Sequence, residues 1–236
     1  MRLPTCPSTA NRAKSGLSAR AACALLVGGL GAAACASSNV VGPDASDPPN
    51  DASGGGPGLV VPFTTKSPIP GPVGHNAVVQ RALFRIAHLR IIGDAGPGDT
   101  RTSRDHVELE WKTGASPAAI EFADAPSGLY SKFLMDADGE TTANSYELAG
   151  TVAVDGDNVE FVIHDLEPLK VSIDTSVALD PGKRAAVKVQ LEIDSAFDDL
   201  DFSELPNNQG KLELSTTDRQ MSKFRSRLKS AFVAID

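Results

Sequence analysis

Apolar and polar residues alternate along much of the chain after about residue 76. Val107, Leu109 and Trp111 alternate with charged residues, and residues 187–193 repeat the pattern. A period of two is typical of a strand with one face in the core and one in solvent, so Trp111 is expected in the core. Similar patterns predict strands at residues 129–135, 146–154, 159–164, 169–173 and 211–214.

Turn signals separate these strands, for example at residues 155–157 and 180–182. Many short strands divided by turns predict a mainly β domain, either an antiparallel sandwich or a barrel, and we expect the antiparallel β-sandwich. Residues 78–92 also suit a helix, but we predict mostly strand there. Gly150 stands at an inward position of its strand, which predicts a bulge or a close contact.

Two helices are expected near the end of the chain. Residues 195–200 predict a short acidic helix. Residues 217–233 predict an amphipathic C-terminal helix whose apolar side chains form one stripe. Its basic residues are compatible with a membrane surface, but we favour packing of the stripe against the sheet, because its apolar face is small. The stripe consists of Met221, Phe224, Leu228 and Phe232.

The N-terminal region has the pattern of a secretory signal peptide over residues 1–34. Arg12, Lys14 and Arg20 precede an uncharged apolar run over residues 21–35 that ends in small residues. This run is shorter than the roughly 20 apolar residues that a spanning helix needs. The pattern therefore predicts export.

The end of this run, Ala32, Ala33, Ala34 and Cys35, resembles the lipobox of bacterial lipoproteins. Ala32 stands where that family prefers Leu. The resemblance implies diacylglyceration of Cys35 and cleavage just before it, so that the lipid bilayer becomes a partner. The alternative is ordinary secretion, with cleavage after an Ala-x-Ala sequence. Ala36 stands where the family's inner-membrane retention signal, Asp, would be, which in a Gram-negative cell implies the outer membrane rather than the inner one.

Residues 35–74 are rich in Ser, Asp, Pro and Gly and predict a disordered tether. Residues 59–73 are more apolar but contain four prolines, which is compatible with an extended strand at a domain edge. The folded domain is therefore expected over residues 75–236.

Several short segments of this domain are similar to an uncharacterised family of bacterial lipoprotein domains. They are residues 124–130, 148–150, 179–182 and 197–200. The resemblance implies an Ig-like or prealbumin-like sandwich, and it supplies no activity.

Charge and cysteine content narrow the function classes. Cys6 and Cys23 leave with the signal peptide, so a lipidated Cys35 leaves no disulfide. Cleavage removes four of the 22 basic residues and none of the 30 acidic ones, so the net charge goes from −8 to −12. Such a surface repels phosphate backbones and anionic headgroups. Nucleic-acid binding is therefore not expected.

One acidic stretch offers weak calcium candidates. Oxygen-bearing side chains occur at positions 1, 3, 5, 9 and 12 of a loop-like stretch: Asp136, Asp138, Glu140, Asn144 and Glu147. Thr141 stands where such a loop requires Gly, so the alternative is a solvated hairpin turn. A second acidic cluster is better explained by solvation of a helix end, and its members are Asp194, Asp198, Asp199, Asp201 and Glu204.

Other site chemistry is sparse. His106 and Glu108 share a strand face but give two ligands where zinc needs three or four. There is no Gly-x-Ser-x-Gly sequence, and no cysteine thiol remains after lipidation. We therefore expect that the protein binds no cofactor and has no enzymatic activity. The leading hypothesis is a noncatalytic binding or envelope-structural module that meets an envelope or cell-surface protein.

Two alternatives remain open at this point. The first is a calcium-dependent or carbohydrate-binding module, although one Trp and two Tyr make a poor stacking platform for sugars. The second is a secreted hydrolase with an unrecognised site, which would need a pocket with convergent polar residues.

Overall fold

Strands make up most of the folded part of this protein. The computed structural model describes residues 56–94, 99–139 and 143–235. The predicted signal peptide, Cys35 and the first part of the tether lie outside the described residues. The strands are β1 (Gly58–Val61), β2 (Phe63–Thr65), β3 (Gly71–Val73), β4 (Ala77–Gly93), β5 (Ser103–Lys112), β6 (Ile120–Phe122), β7 (Gly128–Ala137), β8 (Tyr146–Val154), β9 (Asp157–Asp165), β10 (Leu169–Leu179), β11 (Arg184–Ala186), β12 (Lys188–Leu191), β13 (Asn207–Asn208), β14 (Lys211–Leu214) and β15 (Phe232–Ile235). The helices are α1 (Asp194–Phe197), a 3-10 turn (Phe202–Glu204) and α2 (Met221–Ser230).

The long strand β4 lies at the centre of the largest sheet. Strand β5 pairs along one of its edges, while β8 and β7 divide the other edge between them. Strand β9 then pairs with β8, and β10 pairs with β7. The prediction of a strand over residues 78–92 is therefore confirmed.

Along this edge of β4, the pairing partner changes from β8 to β7 at Arg85. Its backbone N–H donates to Ser145 O at 2.9 Å, and its carbonyl accepts from Asp138 N at 2.9 Å. Asp138 follows β7 and Ser145 precedes β8, so the connection between the two strands begins and ends at Arg85. Strands β7 and β8 thus lie end to end along the same edge of β4.

Two small sheets complete the architecture, with strand orders β11-β1-β6 and β15-β12-β2. Strands β1 and β11, β2 and β12, and β9 and β14 pair in parallel. The sheets are therefore mixed, and the prediction of a wholly antiparallel arrangement was wrong. The reason is that distant chain segments return to their partners in the same direction. The fold is mainly β and consistent with a β-sandwich.

The packed domain begins earlier than residue 75. Leu59, Val61 and Phe63 of β1 and β2 are buried, although the sequence assigned them to the tether. Burial of large apolar side chains stabilises by about 1.5–3 kcal/mol each, and this outweighs the low regularity of a Pro-rich segment. Residues 58–73 are part of the domain, and Pro72 pairs on β3 at an edge position opposite Val78.

Aromatic side chains form the centre of the core. The Phe84 ring lies 6.0 Å from Trp111, 6.1 Å from Tyr146 and 5.1 Å from Phe232, measured between ring centroids. Trp111 is 2% exposed, which confirms its predicted place. The close contact at Gly150 is also confirmed, because a Cβ there would collide with a backbone oxygen and a ring.

The helical segments are shorter than predicted. Helix α2 covers Met221–Ser230 within the predicted range 217–233, and strand β15 follows it. Met221, Phe224 and Leu228 are buried on α2, whereas Phe232 is buried on β15. Among the described residues, no helix combines the length and apolar character needed to cross a membrane.

Candidate functional site

The structure separates two of the calcium candidates. Asp136 lies on β7 opposite His88 of β4, whereas Glu147 lies on β8 opposite Leu83. The two positions differ by five residues along β4, or roughly 15 Å at the usual rise of a strand. One calcium ion holds each ligand at about 2.4 Å, so these carboxylates do not form a common site. Glu147 instead accepts a hydrogen bond from Arg81 Nη1 at 2.7 Å.

Residues of the second acidic cluster form ion pairs and a helix cap with neighbouring residues. Asp199 Oδ2 accepts from Arg227 Nε and Nη2 at 2.9 and 2.6 Å, and Lys223 Nζ lies 3.2 Å from its other oxygen. These contacts hold the pKa of Asp199 below its usual range. Asp201 caps the 3-10 turn by accepting from Ser203 N. The other members lie on or beside α1 and the 3-10 turn: Asp194, Asp198 and Glu204.

The zinc candidates His106 and Glu108 line a cavity of about 300 Å³ together with Arg85 and Asp138. Arg85 Nε lies 3.6 Å from Glu108 Oε1. His106 has a φ of 54°, a left-handed conformation that is uncommon for residues other than glycine. Glu140 lies outside the described residues. The cavity thus brings Asp138, a weak calcium candidate, and the two residues considered for zinc to the same place as Arg85.

One buried ion pair is not predicted from the sequence. Asp165 at the end of β9 has a side chain that is 0% exposed, and Arg225 of α2 reaches it. Arg225 Nε donates to Oδ2 at 2.6 Å and Nη2 donates to Oδ1 at 3.0 Å. Tyr146 OH donates to Oδ2 at 2.9 Å, and Glu167 N donates to Oδ1 at 3.1 Å. We call Asp165 and Arg225 the buried pair.

Burial and hydrogen bonding oppose each other at this carboxylate. Burial raises the pKa of Asp165, but the hydrogen bonds from Arg225, Glu167 N and Tyr146 lower it more, so the pKa lies below its usual value. The pKa of Tyr146 is raised, first by burial and then by the neighbouring carboxylate. Asp165 therefore stays ionised and fixes α2 to the end of β9.

The sequence did contain a signal for this pair. Phe161, Ile163 and Asp165 occupy alternate, buried positions of β9. Extending the period-two pattern by one step places a carboxylate on the inner face of the strand. A buried carboxylate requires a charged or multiple hydrogen-bonding partner, but the pattern does not say where in the chain that partner lies.

A second groove, of about 380 Å³, crosses the outer face of β4, β7 and β10. Three strands and the last turn of α2 supply its walls. We call it the basic groove and define it by six side chains: His88, Arg90, Leu134, Asp136, Lys170 and Lys229.

Strand register orders these side chains in rows. His88, Asp136 and Lys170 lie side by side on the three strands, and Arg90 lies opposite Leu134 in the next row. His88 Nδ1 contacts Asp105 Oδ1 at 2.8 Å, and this hydrogen bond is the main reason why the pKa of His88 is raised. The groove therefore concentrates positive charge on an acidic protein.

No protein-family model, curated protein or solved structure matches the chain. Within the part of the chain that the structure describes, no three His, Cys, Asp or Glu side chains are placed to hold a metal ion. What the chain does must therefore be inferred from its own residues, and the basic groove brings together charged side chains from three strands and a helix.

Proposed function

We propose that this chain is an extracytoplasmic lipoprotein, anchored to a bilayer through acylated Cys35, whose β domain is a noncatalytic binding or envelope-structural module. The observation that carries the proposal is the order of residues before Cys35: basic residues, an apolar run and three alanines. Ala36 favours delivery to the outer membrane over retention at the inner one. Two or three acyl chains, at about 0.8 kcal/mol for each buried CH₂, hold a protein stably on a bilayer.

The start of the domain supports an anchored arrangement. Cys35 lies 23 residues before Gly58, and a stretch of that length spans at most about 80 Å. That distance limits how far from the membrane the domain can find its partner. The partner within that reach is proposed to be an envelope or cell-surface protein.

The position of the buried carboxylate supports a noncatalytic role. Asp165 is the one fully buried acidic residue in the described part of the chain. Its oxygens are occupied by Arg225, Tyr146 and a backbone N–H. A carboxylate held in this way acts in the core and has no free oxygen for a substrate.

We propose in addition that the β domain is an Ig-like or prealbumin-like sandwich. Such a sandwich is supported by the presence of two small sheets beside the large one and by the turn segments that resemble the bacterial lipoprotein domain family. Helix α2, with Met221, Phe224 and Leu228 buried, is proposed to serve as the cap of that sandwich.

The proposal is tested by the mass of the mature N-terminal peptide. Wild-type protein and the Cys35→Ser variant are prepared from native membranes and digested. We expect an acylated Cys35 peptide in the wild type and its loss in the variant, together with release of the variant from the membrane. An unmodified N-terminus and soluble protein in both cases would overturn the lipoprotein proposal.

A further inference from the structure

Arg90 has unused hydrogen-bonding capacity in the basic groove. Its Nη2 makes one long hydrogen bond, 3.4 Å to Asp99 O, and its Nε is buried without a partner among the described residues. A guanidinium can donate five hydrogen bonds in a planar fork that matches a carboxylate. No carboxylate of the described residues forms an ion pair with Arg90.

Asp136 has spare capacity of the opposite kind. Its Oδ2 lies 3.7 Å from Lys170 Nζ, which is a loose ion pair. Its Oδ1 is buried without a hydrogen-bond partner in the described structure. An ionised carboxylate accepts several hydrogen bonds, so both oxygens of Asp136 are available to a donor once its side chain turns toward the groove.

An apolar residue lies between these two groups. Leu134 stands opposite Arg90 across the β4–β7 ladder and two residues before Asp136 on the same strand face. It is partly exposed at the floor of the groove. Lys229 reaches the groove from the last turn of α2 and has no ion-pair partner in the described residues. The groove therefore offers two cations that form no ion pair with the described residues, one acceptor and an apolar surface.

We propose that the basic groove binds a free α-amino acid with an apolar side chain, with its carboxylate on Arg90 and Lys229, its ammonium on Asp136 and its side chain against Leu134. Arg90 supplies donors for the carboxylate and Asp136 an acceptor for the ammonium, the two charged groups that an α-amino acid carries on one carbon. The volume of about 380 Å³ accepts such a molecule together with several waters. Binding gives Arg90 and Asp136 the hydrogen bonds they lack, which compensates for the rotation of their side chains.

This inference names a ligand class for the binding module proposed above, and it does not depend on the lipid anchor. Failure of acylation would appear in the mass of the Cys35 peptide. Failure of the groove would appear in ligand titrations of the same protein. The two results are therefore separable.

The test is a titration of the purified full chain with four probes, followed by calorimetry and by backbone amide NMR shifts. L-leucine carries every required group. 4-methylpentanoate lacks the ammonium, 3-methylbutylamine lacks the carboxylate, and glycine lacks the apolar side chain. We expect leucine to bind at least about tenfold more tightly than each of the other three, with shifts on β4, β7 and β10.

Charge-removing variants assign the contacts. Arg90→Gln and Lys229→Gln should each weaken leucine binding about tenfold, the effect of losing roughly 1.4 kcal/mol. Asp136→Asn should weaken leucine equally but leave 4-methylpentanoate unchanged or bound more tightly, since that probe has no ammonium. Lys183→Gln, which removes the same charge at a distant turn, is the matched control and should change nothing. Lys229 is exposed on α2, so its variant keeps the test valid if Arg90→Gln fails to fold.

Three outcomes would overturn the proposal. One is equal binding of leucine and 4-methylpentanoate. Another is an equal effect of Asp136→Asn on both probes. The third is an absence of leucine-dependent amide shifts at about 10 mM leucine, because a specific small-molecule site has a Kd well below that concentration. This outcome counts when the amide spectrum shows that the protein is folded.

Discussion

Two charged networks on the same sheet differ mainly in their exposure. The outer ladder consists of Arg81, Glu110, Lys112 and Glu147, and Arg81 bridges both glutamates at 2.7 Å. The Arg81 side chain is 38% exposed, whereas the Asp165 carboxylate of the buried pair is 0% exposed. Water and salt screen the first network strongly and the second weakly.

The outer ladder has a second role that the buried pair lacks. Register places Leu83 between Glu110 of β5 and Glu147 of β8 on the outward face of β4. Leu83 is nevertheless only 3% exposed. The ladder therefore acts largely through the stems of its side chains, which cover an apolar residue, while the buried pair acts through charge and hydrogen bonds.

The largest expected effect follows from removing the buried charge. Asp165→Asn leaves Arg225 without its counter-ion and should lower the free energy of unfolding by about 3 kcal/mol, as breaking a buried ion pair does. Urea unfolding at pH 7 measures this. Glu147→Gln removes the same charge from the outer ladder and should cost below about 1 kcal/mol. Equal losses would show that burial does not distinguish the two networks.

Acid should abolish the difference between wild type and Asp165→Asn. The pKa of Asp165 is lower in the folded state than in the unfolded state, where it is about 3.9. Its contribution is therefore present above the unfolded pKa and is lost as pH falls through the folded pKa. Urea unfolding of both proteins from pH 7 down to about pH 3 should show the gap closing only below about pH 4. A gap that is constant with pH would contradict this assignment.

The covering role of the outer ladder predicts a smaller effect. Leu83→Ala should lower the free energy of unfolding by about 2 kcal/mol, the low end for a buried leucine. Arg81→Gln should cost below about 1 kcal/mol, and high salt should reduce this loss because the pair is exposed. Thermal unfolding at low and high salt compares the two variants. A larger loss for Arg81→Gln than for Leu83→Ala would mean that charge dominates the ladder.

The smallest effect concerns His88 and Asp105, which are both exposed. The hydrogen bond with Asp105 raises the pKa of His88, so any stabilisation is present below the unfolded pKa of about 6.5 and is lost as pH rises through the folded pKa. Asp105→Asn should bring the pKa of His88 back toward its usual value in an NMR titration. The melting temperature should stay unchanged. An unaltered His88 titration would rule out Asp105 as the cause.

The local sequence pattern was enough to predict most strands, because the alternation of apolar and polar residues identifies a strand without information about the strand it pairs with. Strands β4, β5, β7 and β8 follow from it, as does the burial of Trp111. Partner identity was not predictable in this way. The parallel pairing of β1 with β11 joins segments that share no local signal. The composition of residues 35–74 therefore predicts a tether, although residues 58–73 pair with distant strands.

The candidate sites show the same limit. Single side chains such as His106 and Asp136 were visible in the sequence, but their neighbours were not. The basic groove needs side chains from three strands and a helix at fixed register. The partner of Asp165 lies on α2, although its inward position could be derived from the alternation of β9.

The pairing of β1 and β2 also sets an order of events during synthesis. Residues 58–65 leave the ribosome well before residues 184–191, with which they pair in parallel. Until then Leu59, Val61 and Phe63 have no partner strand on that side, and exposed apolar strands of this kind are prone to aggregate. Strand β12 in turn pairs with β15. While a ribosome or an export channel still holds β12 and β15, β2 therefore cannot complete its pairing with β12.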